Sequence, residues 1–285
     1  LYWSKNDLET AVKYDKKSLK LFEELGDLKG VAINLVGIGI YHSSTTKDHK
    51  KALGYYDKAL KIFEENGFVS NLPYCLICIS QAYSAIGDFD IAMKYLNRVI
   101  IIEEELGNDF YTKRSISLMA QIYSIIGDHV KSLQLYKKLL SLFEKSDNQN
   151  GIAYSMTKLG ISYYYSNKYQ EAIDSLKTSL VINKEKEIDQ NEIVLEATTF
   201  LFLSYKNFEK DYDKSLIYSL IKKIENNNFE ISYQLFKLLE ENTFLNSAYN
   251  QIKKKIDAMQ DELKEKFLNY PIPKQILEEW NKINN

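Results

Sequence analysis

The chain has 285 residues, of which 45% are hydrophobic and 27% charged, so it carries ample material for a packed core and is not a disordered segment. Its 11 glycines and 3 prolines beside 22 tyrosines suit a helical chain and exclude the all-β and collagen-like classes. A formal net charge of −2 gives no diffuse field for nucleic acid or anionic lipid, and neither is expected as a partner. The 2 cysteines cannot form a disulfide framework and the 3 histidines make a histidine-based metal site hard to assemble, so a reducing, cytoplasmic setting is expected. No stretch approaches the roughly 18 apolar residues that span a bilayer, and the first residues lack the order of a signal peptide.

In chain order, Tyr2 precedes Ala11 by the interval that separates Tyr83 from Ala92. Leu1-Tyr2-Trp3 is therefore read as the end of a helix that begins upstream, and the chain as a fragment of something longer. From there one pattern recurs at intervals of 40 residues, starting at Ala52, Ala92, Ser132 and Ala172. The same interval separates Gly67, Gly107 and Asp147, the pairs Gly87-Asp88, Gly127-Asp128 and Asn167-Lys168, and Tyr83, Tyr123 and Tyr163. Within a unit, apolar residues fall at helical spacing in two stretches, as in Leu76, Ile79, Tyr83 and then Ile91, Tyr95, Val99, Ile102. Each unit thus reads as a helical hairpin, with glycine in the left-handed position that ends one helix and aspartate capping the next. Small residues at Ala52, Ala59, Ala92, Ser132, Ala172 and Ser179 mark close helix approaches. Two turns depart from the pattern, Ser43 to His49 and Lys206 to Lys210. After residue 226 the phase fades. Helices are expected over Phe229 to Glu240 and Phe244 to Phe267, a break at Pro271-Ile-Pro273, and a short last helix over Gln275 to Ile283.

These residues resemble the tetratricopeptide repeat. Gly160-Ile-Ser-Tyr163, Asn167-Lys-Tyr169, Ala172 and Ser179 match its small residue, aromatic, turn and paired small residues, and the link Glu103-Glu-Glu-Leu-Gly107-Asn lengthens the unit beyond the family's minimum of about 34 residues. The longer unit is similar to those of regulatory proteins. The resemblance covers residues 1 to 226. It implies an all-α fold, a right-handed superhelical solenoid of antiparallel helix hairpins, with 227–285 as a degenerate repeat and C-terminal helical cap. It also implies a scaffold without enzymatic activity or cofactor, which binds a protein or peptide segment in a concave groove. The alternative is a regulatory domain of a larger signalling protein that contacts its own effector; Phe267-Leu-Asn-Tyr-Pro271 resembles the close of repeat arrays in such proteins.

Carried over position by position, the family's groove falls on Asn34, Tyr41 and His42, then on Tyr74, Cys78, Gln81 and Ser84. Arg114, Ser117, Gln121 and Ser124 follow, and the fourth unit gives Tyr154, Thr157, Lys158, Tyr164 and Tyr165. Gln81 and Gln121 are at equivalent positions and suit hydrogen bonding to an extended backbone. The clamp by which one subtype holds chaperone C-termini is absent, since its places hold Ile77, Gln81, Ser117 and Gln121, leaving Arg114 and Lys158 for an acidic group.

Other chemistry reads as weak. Cys75-Leu-Ile-Cys78 has dithiol spacing but sits inside a repeat helix, where packing is expected; a redox role would need the first thiolate at an exposed helix start, which Pro73 would mark. His42, His49 and His129 lie near turns without a ligand set and read as surface residues. No metal site is expected. Gly37-Ile-Gly39 lacks the rest of a nucleotide loop. The acidic runs Glu103 to Glu105 and Glu240-Glu241 point in different directions from a helix. Lys253 to Lys255 alternate with Asp257, Asp261, Glu262 and Glu265 and read as a solvated face.

Overall fold

A computed structural model describes residues 8–186, 191–224, 227–257 and 259–284. Regular structure among them is helical, without strands. The chain divides into two compact units, Leu1–Leu118 and Met119–Asn285. In the first unit lie α1 (Leu8–Leu25), α2 (Leu28–Ser44), α3 (His49–Glu65), α4 (Leu72–Ala85) and α5 (Phe89–Glu105), and the division falls inside α6 (Phe110–Ile126). The second unit continues with α7 (His129–Lys145), α8 (Gln149–Tyr165), α9 (Tyr169–Glu185), α10 (Asn191–Lys206), α11 (Lys214–Ile221), α12 (Phe229–Leu239), α13 (Asn242–Asp257), α14 (Asp261–Leu268) and α15 (Pro271–Asn284). In each unit consecutive helices pack as antiparallel pairs, α2 with α3 and α4 with α5, then α8 with α9 and α12 with α13.

The turns follow from local chemistry. Gly87 and Gly127 adopt φ of +86° and +87°, and Asn167 at the same repeat position adopts +57°. The residue after each glycine caps the next helix: the Asp88 carboxylate accepts from the Ile91 amide at 3.1 Å and Asp128 from Lys131 at 3.1 Å. Lys168 holds the same backbone geometry but offers no side-chain cap. At the other turn, Asp147 takes the left-handed place with φ +47°, where Gly67 and Gly107 stand in earlier repeats.

Close approach explains the small residues. Ala52, Ala59, Ala92, Ser132, Ala172 and Ser179 are fully buried. A Cβ on Gly160 would stand 2.5 Å from the Leu176 side chain, so this pair of helices tolerates nothing larger there. The first unit is filled around Leu35, Tyr56, Phe63, Leu76 and Ile79. The second holds one cluster around Leu176, Phe200, Leu201 and Leu235 and another around Tyr233, Leu245, Ile252, Phe267 and Ile276. Each such aliphatic or aromatic side chain contributes roughly 1.5–3 kcal/mol on burial.

The sequence reading needs correction at several points. The helix expected over Phe244 to Phe267 is two helices, α13 and α14, because Met259 turns into the C-terminal cluster and Gln260 takes an extended ψ of 153°. Pro271-Ile-Pro273 does not break a helix but starts α15; the first turn has no intrahelical N–H bonds for proline to lose. Ser43 and Ser44 belong to α2, and the departure is confined to the turn before α3, where Lys47 has φ +56°. Lys206 likewise remains in α10, and the irregular stretch leads into a short α11. Lys255 is not simply solvated: it is half-buried, its ammonium 5.6 Å from the Phe267 ring centroid.

Candidate functional site

In the first unit the residues taken for groove positions separate into buried and accessible sets. Asn34 is buried, donating its amide to the Gly30 carbonyl at 2.9 Å and accepting from the Ser18 hydroxyl. His42 is buried too, its ring stacked on Tyr55 at 5.4 Å with Tyr41 edge-on; burial lowers its pKa, with Lys51 adding to the shift. This corrects the surface reading of His42, and His49 and His129 are likewise half-buried. Cys75 and Cys78 are free and buried, and Cys75 Sγ donates to the Tyr56 carbonyl at 3.6 Å. Burial pushes both thiols up, Cys78 to about 12, the opposite of what a working dithiol needs. Tyr74 and Arg114 are exposed, and Gln81, Ser84 and Ser117 half-buried.

Tyr74 and Asn34 also line a pocket of about 430 Å³ in this unit. Asp15 of α1 reaches it, as do Asn71 before α4 and Tyr111 of α6.

The second unit brings its accessible residues together. Gln121 on α6 donates its amide to the Tyr154 hydroxyl on α8 at 3.0 Å. One turn on, Lys158 pairs with both carboxylate oxygens of Glu196 on α10 at 2.6 Å, and its ammonium is 5.7 Å from the Tyr154 ring centroid. This pair is largely shielded, with side-chain exposures of 19% and 12%. Gln121, Ser124, Lys158, Tyr165, Glu196 and Glu230 line a cavity of about 120 Å³. Burial lowers the Lys158 pKa, but the Glu196 charge, assisted by Tyr154 and Glu230, outweighs it and leaves the net shift upward. Glu230 is raised, first by burial and further by Glu196, while Lys158 and Lys255 pull it back.

Tyr165 stacks on His129 at 4.8 Å and accepts from the Gln234 amide at 3.1 Å. Tyr164 packs edge-on to Phe200. Thr157 is fully buried, 2.7 Å from the Ser179 hydroxyl, and points away from this surface.

Three residues of this site, Glu196, Glu230 and Gln234, were absent from the sequence reading. The transfer of groove positions stopped at α8, and a further step of 40 residues from Tyr154 reaches Val194, two positions short of Glu196 on α10. Glu230 had no such signal, because the repeat phase is lost before α12.

Comparison with known families finds that the model described as Tetratricopeptide repeat matches residues 1–65 and 111–185. Those two stretches match the tetratricopeptide repeat (TPR), and the fold of the chain is TPR-like. A search of curated proteins gives no match. Among solved structures, the repeats are similar to BtubC (BKLC) from P. vanneervenii, at 16% identity and a TM-score of 0.62, covering 76% of this chain and 89% of that one. The apo form of RapI aligns at 15% identity and a TM-score of 0.63, covering 96% and 85%. A Rap protein complexed with Competence and Sporulation Factor aligns at 14% identity and a TM-score of 0.60, covering 99% and 71%. At these identities the likeness is one of fold.

Proposed function

We propose that the chain is a binding scaffold that holds a segment of a partner protein or a peptide against the α6, α8 and α10 side chains of its second unit. The observation that carries this reading is the run Gln121, Tyr154, Lys158 and Glu196 beside a cavity bordered by Glu230. An amide, a phenol, an ammonium and carboxylates along neighbouring helices offer both donors and acceptors to an extended backbone. The similar Rap protein complexed with Competence and Sporulation Factor supports a binding role for this fold.

The test is to select peptides from a random display library against the whole chain and measure their affinity for wild type and Gln121→Ala. A weakening of about tenfold or more, with thermal unfolding unchanged, is expected when one central polar contact is lost. Equal affinity for both proteins refutes the placement.

A further inference from the structure

The pocket of the first unit carries a ligand chemistry of its own. Its volume, about 430 Å³, lies in the range of small-group binding sites, roughly 300–1,000 Å³. Among the described residues, two polar atoms there are buried without a hydrogen-bond partner, Asp15 Oδ2 and Asn71 Oδ1. Both are acceptors, since an ionised carboxylate and an amide oxygen cannot donate. Asn34 also lines the pocket, but its amide is already committed to the Gly30 carbonyl.

Around these acceptors are aromatic and aliphatic walls. The Tyr74 and Tyr111 rings stand 6.2 Å apart and tilted by 44°, and ring faces attract cations. Ile33, Val36, Ile40, Phe63 and Ser70 also line it, and among the described residues the lining includes no lysine, arginine or histidine. Arg114 stands near both tyrosines but is exposed and outside the lining. Burial raises the Asp15 carboxyl.

Gly37 makes the arrangement sterically possible. A Cβ at that position would lie 2.5 Å from Asp15 Oδ2, so the missing side chain leaves room for the carboxylate against α2. A neutral donor would satisfy one acceptor and leave the charge of Asp15 unmet. Among the described residues no group of three or more His, Cys, Asp or Glu side chains stands there to hold a metal ion.

We propose that this pocket seats the ammonium or guanidinium head of a lysine or arginine side chain of a peptide, paired with Asp15 and Asn71 and flanked by Tyr74 and Tyr111. The aliphatic stem then lies along Ile33 and Ile40, as long basic side chains do on apolar surface. This inference goes beyond the segment-binding reading above and names the ligand chemistry of a pocket in the first unit.

The experiment uses the peptides selected on the whole chain, each compared with a version in which a single lysine or arginine is replaced by norleucine. Wild type is expected to lose at least about tenfold in affinity at one such position, the scale of a desolvated charge pair. Asp15→Asn should bind both versions equally weakly. Gly37→Ala should weaken the basic version with the net charge unchanged, which guards against an effect of charge alone. Circular dichroism and thermal unfolding establish that both variants are folded.

Equal affinity of wild type for the two versions, or a preference that survives in Asp15→Asn, overturns the proposal. If selected peptides bind through Gln121 whatever their basic residues, the scaffold reading stands and this inference fails. N-acetyl-lysine methylamide, titrated by NMR, covers the converse: Asp15-dependent binding of this small probe, with no peptide bound at the α8 face, supports the cation pocket and refutes the scaffold reading.

Discussion

Replacing Lys158 by methionine keeps most of the side-chain volume and removes the one cation that, among the described residues, lines the α8–α10 cavity. The ammonium meets both oxygens of Glu196 at 2.6 Å, and both partners are largely shielded from water. Breaking a buried pair by removing one member typically costs about 3–5 kcal/mol, because the remaining charge is stranded. Here two carboxylates remain, Glu196 and Glu230, so Lys158→Met should lie in that range. Glu196→Gln leaves Lys158 with Glu230 nearby and keeps an acceptor, so its cost should be smaller, roughly 1–2 kcal/mol. The double variant Lys158→Met, Glu196→Gln should be more stable than Lys158→Met alone by about 1 kcal/mol, since one stranded charge has gone.

The pH dependence carries a second sign. Glu230 has its folded pKa raised above the ordinary 4.5, so it takes up a proton more readily folded than unfolded. Its stabilising contribution is therefore complete below that ordinary value and lost as pH rises through the raised one. Removing Lys158 removes the charge that pulls this value back, so lowering the pH from about 7 to about 5 should shrink the Lys158→Met deficit. Urea denaturation followed by circular dichroism reads all three variants. A Lys158→Met protein within about 0.5 kcal/mol of wild type, or one less affected than Glu196→Gln, would refute the buried-pair argument.

Three further outcomes follow from the packing and the turns. Lys168→Asp should stabilise by about 0.5–1 kcal/mol, because Lys168 already holds the cap backbone without a side-chain acceptor; no gain in a urea melt would contradict the capping account. Gly39→Ala should destabilise by roughly 1–3 kcal/mol, since a Cβ there would overlap the buried Tyr56 ring; an unchanged denaturation midpoint would show that the ring can move aside. A chromogenic disulfide reagent should label Cys75 and Cys78 only on unfolding, given their burial and raised pKa values. Rapid labelling of the native chain would reopen the dithiol reading.

What was legible in the sequence was what the backbone demands locally. Left-handed turns favour glycine or asparagine, caps favour aspartate or asparagine, and helices that touch favour alanine or serine. Gly87-Asp88, Asn167 and Ala172 therefore announced the hairpins before any coordinates. The C-terminal helices were less legible because apolar spacing continues through Met259, and only its burial turns the chain there. Proline at 271 and 273 fits a helix start as well as a break, and spacing alone does not choose. The proposed site was legible where the repeat persists, at Gln121, Tyr154 and Lys158. It was not legible at Thr157, whose hydroxyl turns to Ser179, nor at His42, which Tyr55 covers. Asp15 stayed hidden for the same reason as Glu230: its role comes from a pocket assembled by other helices, which leaves no trace in the spacing of its own.

The claim that a partner segment lies against α6, α8 and α10 is tested most directly by amide hydrogen exchange of the whole chain, with and without a selected peptide. The account predicts slowed exchange in α8 and α10, centred on the turns that carry Tyr154, Lys158 and Glu196, with α7 and α9 unchanged. Slowing confined to α7 and α9, or to α13 and α15, would contradict it.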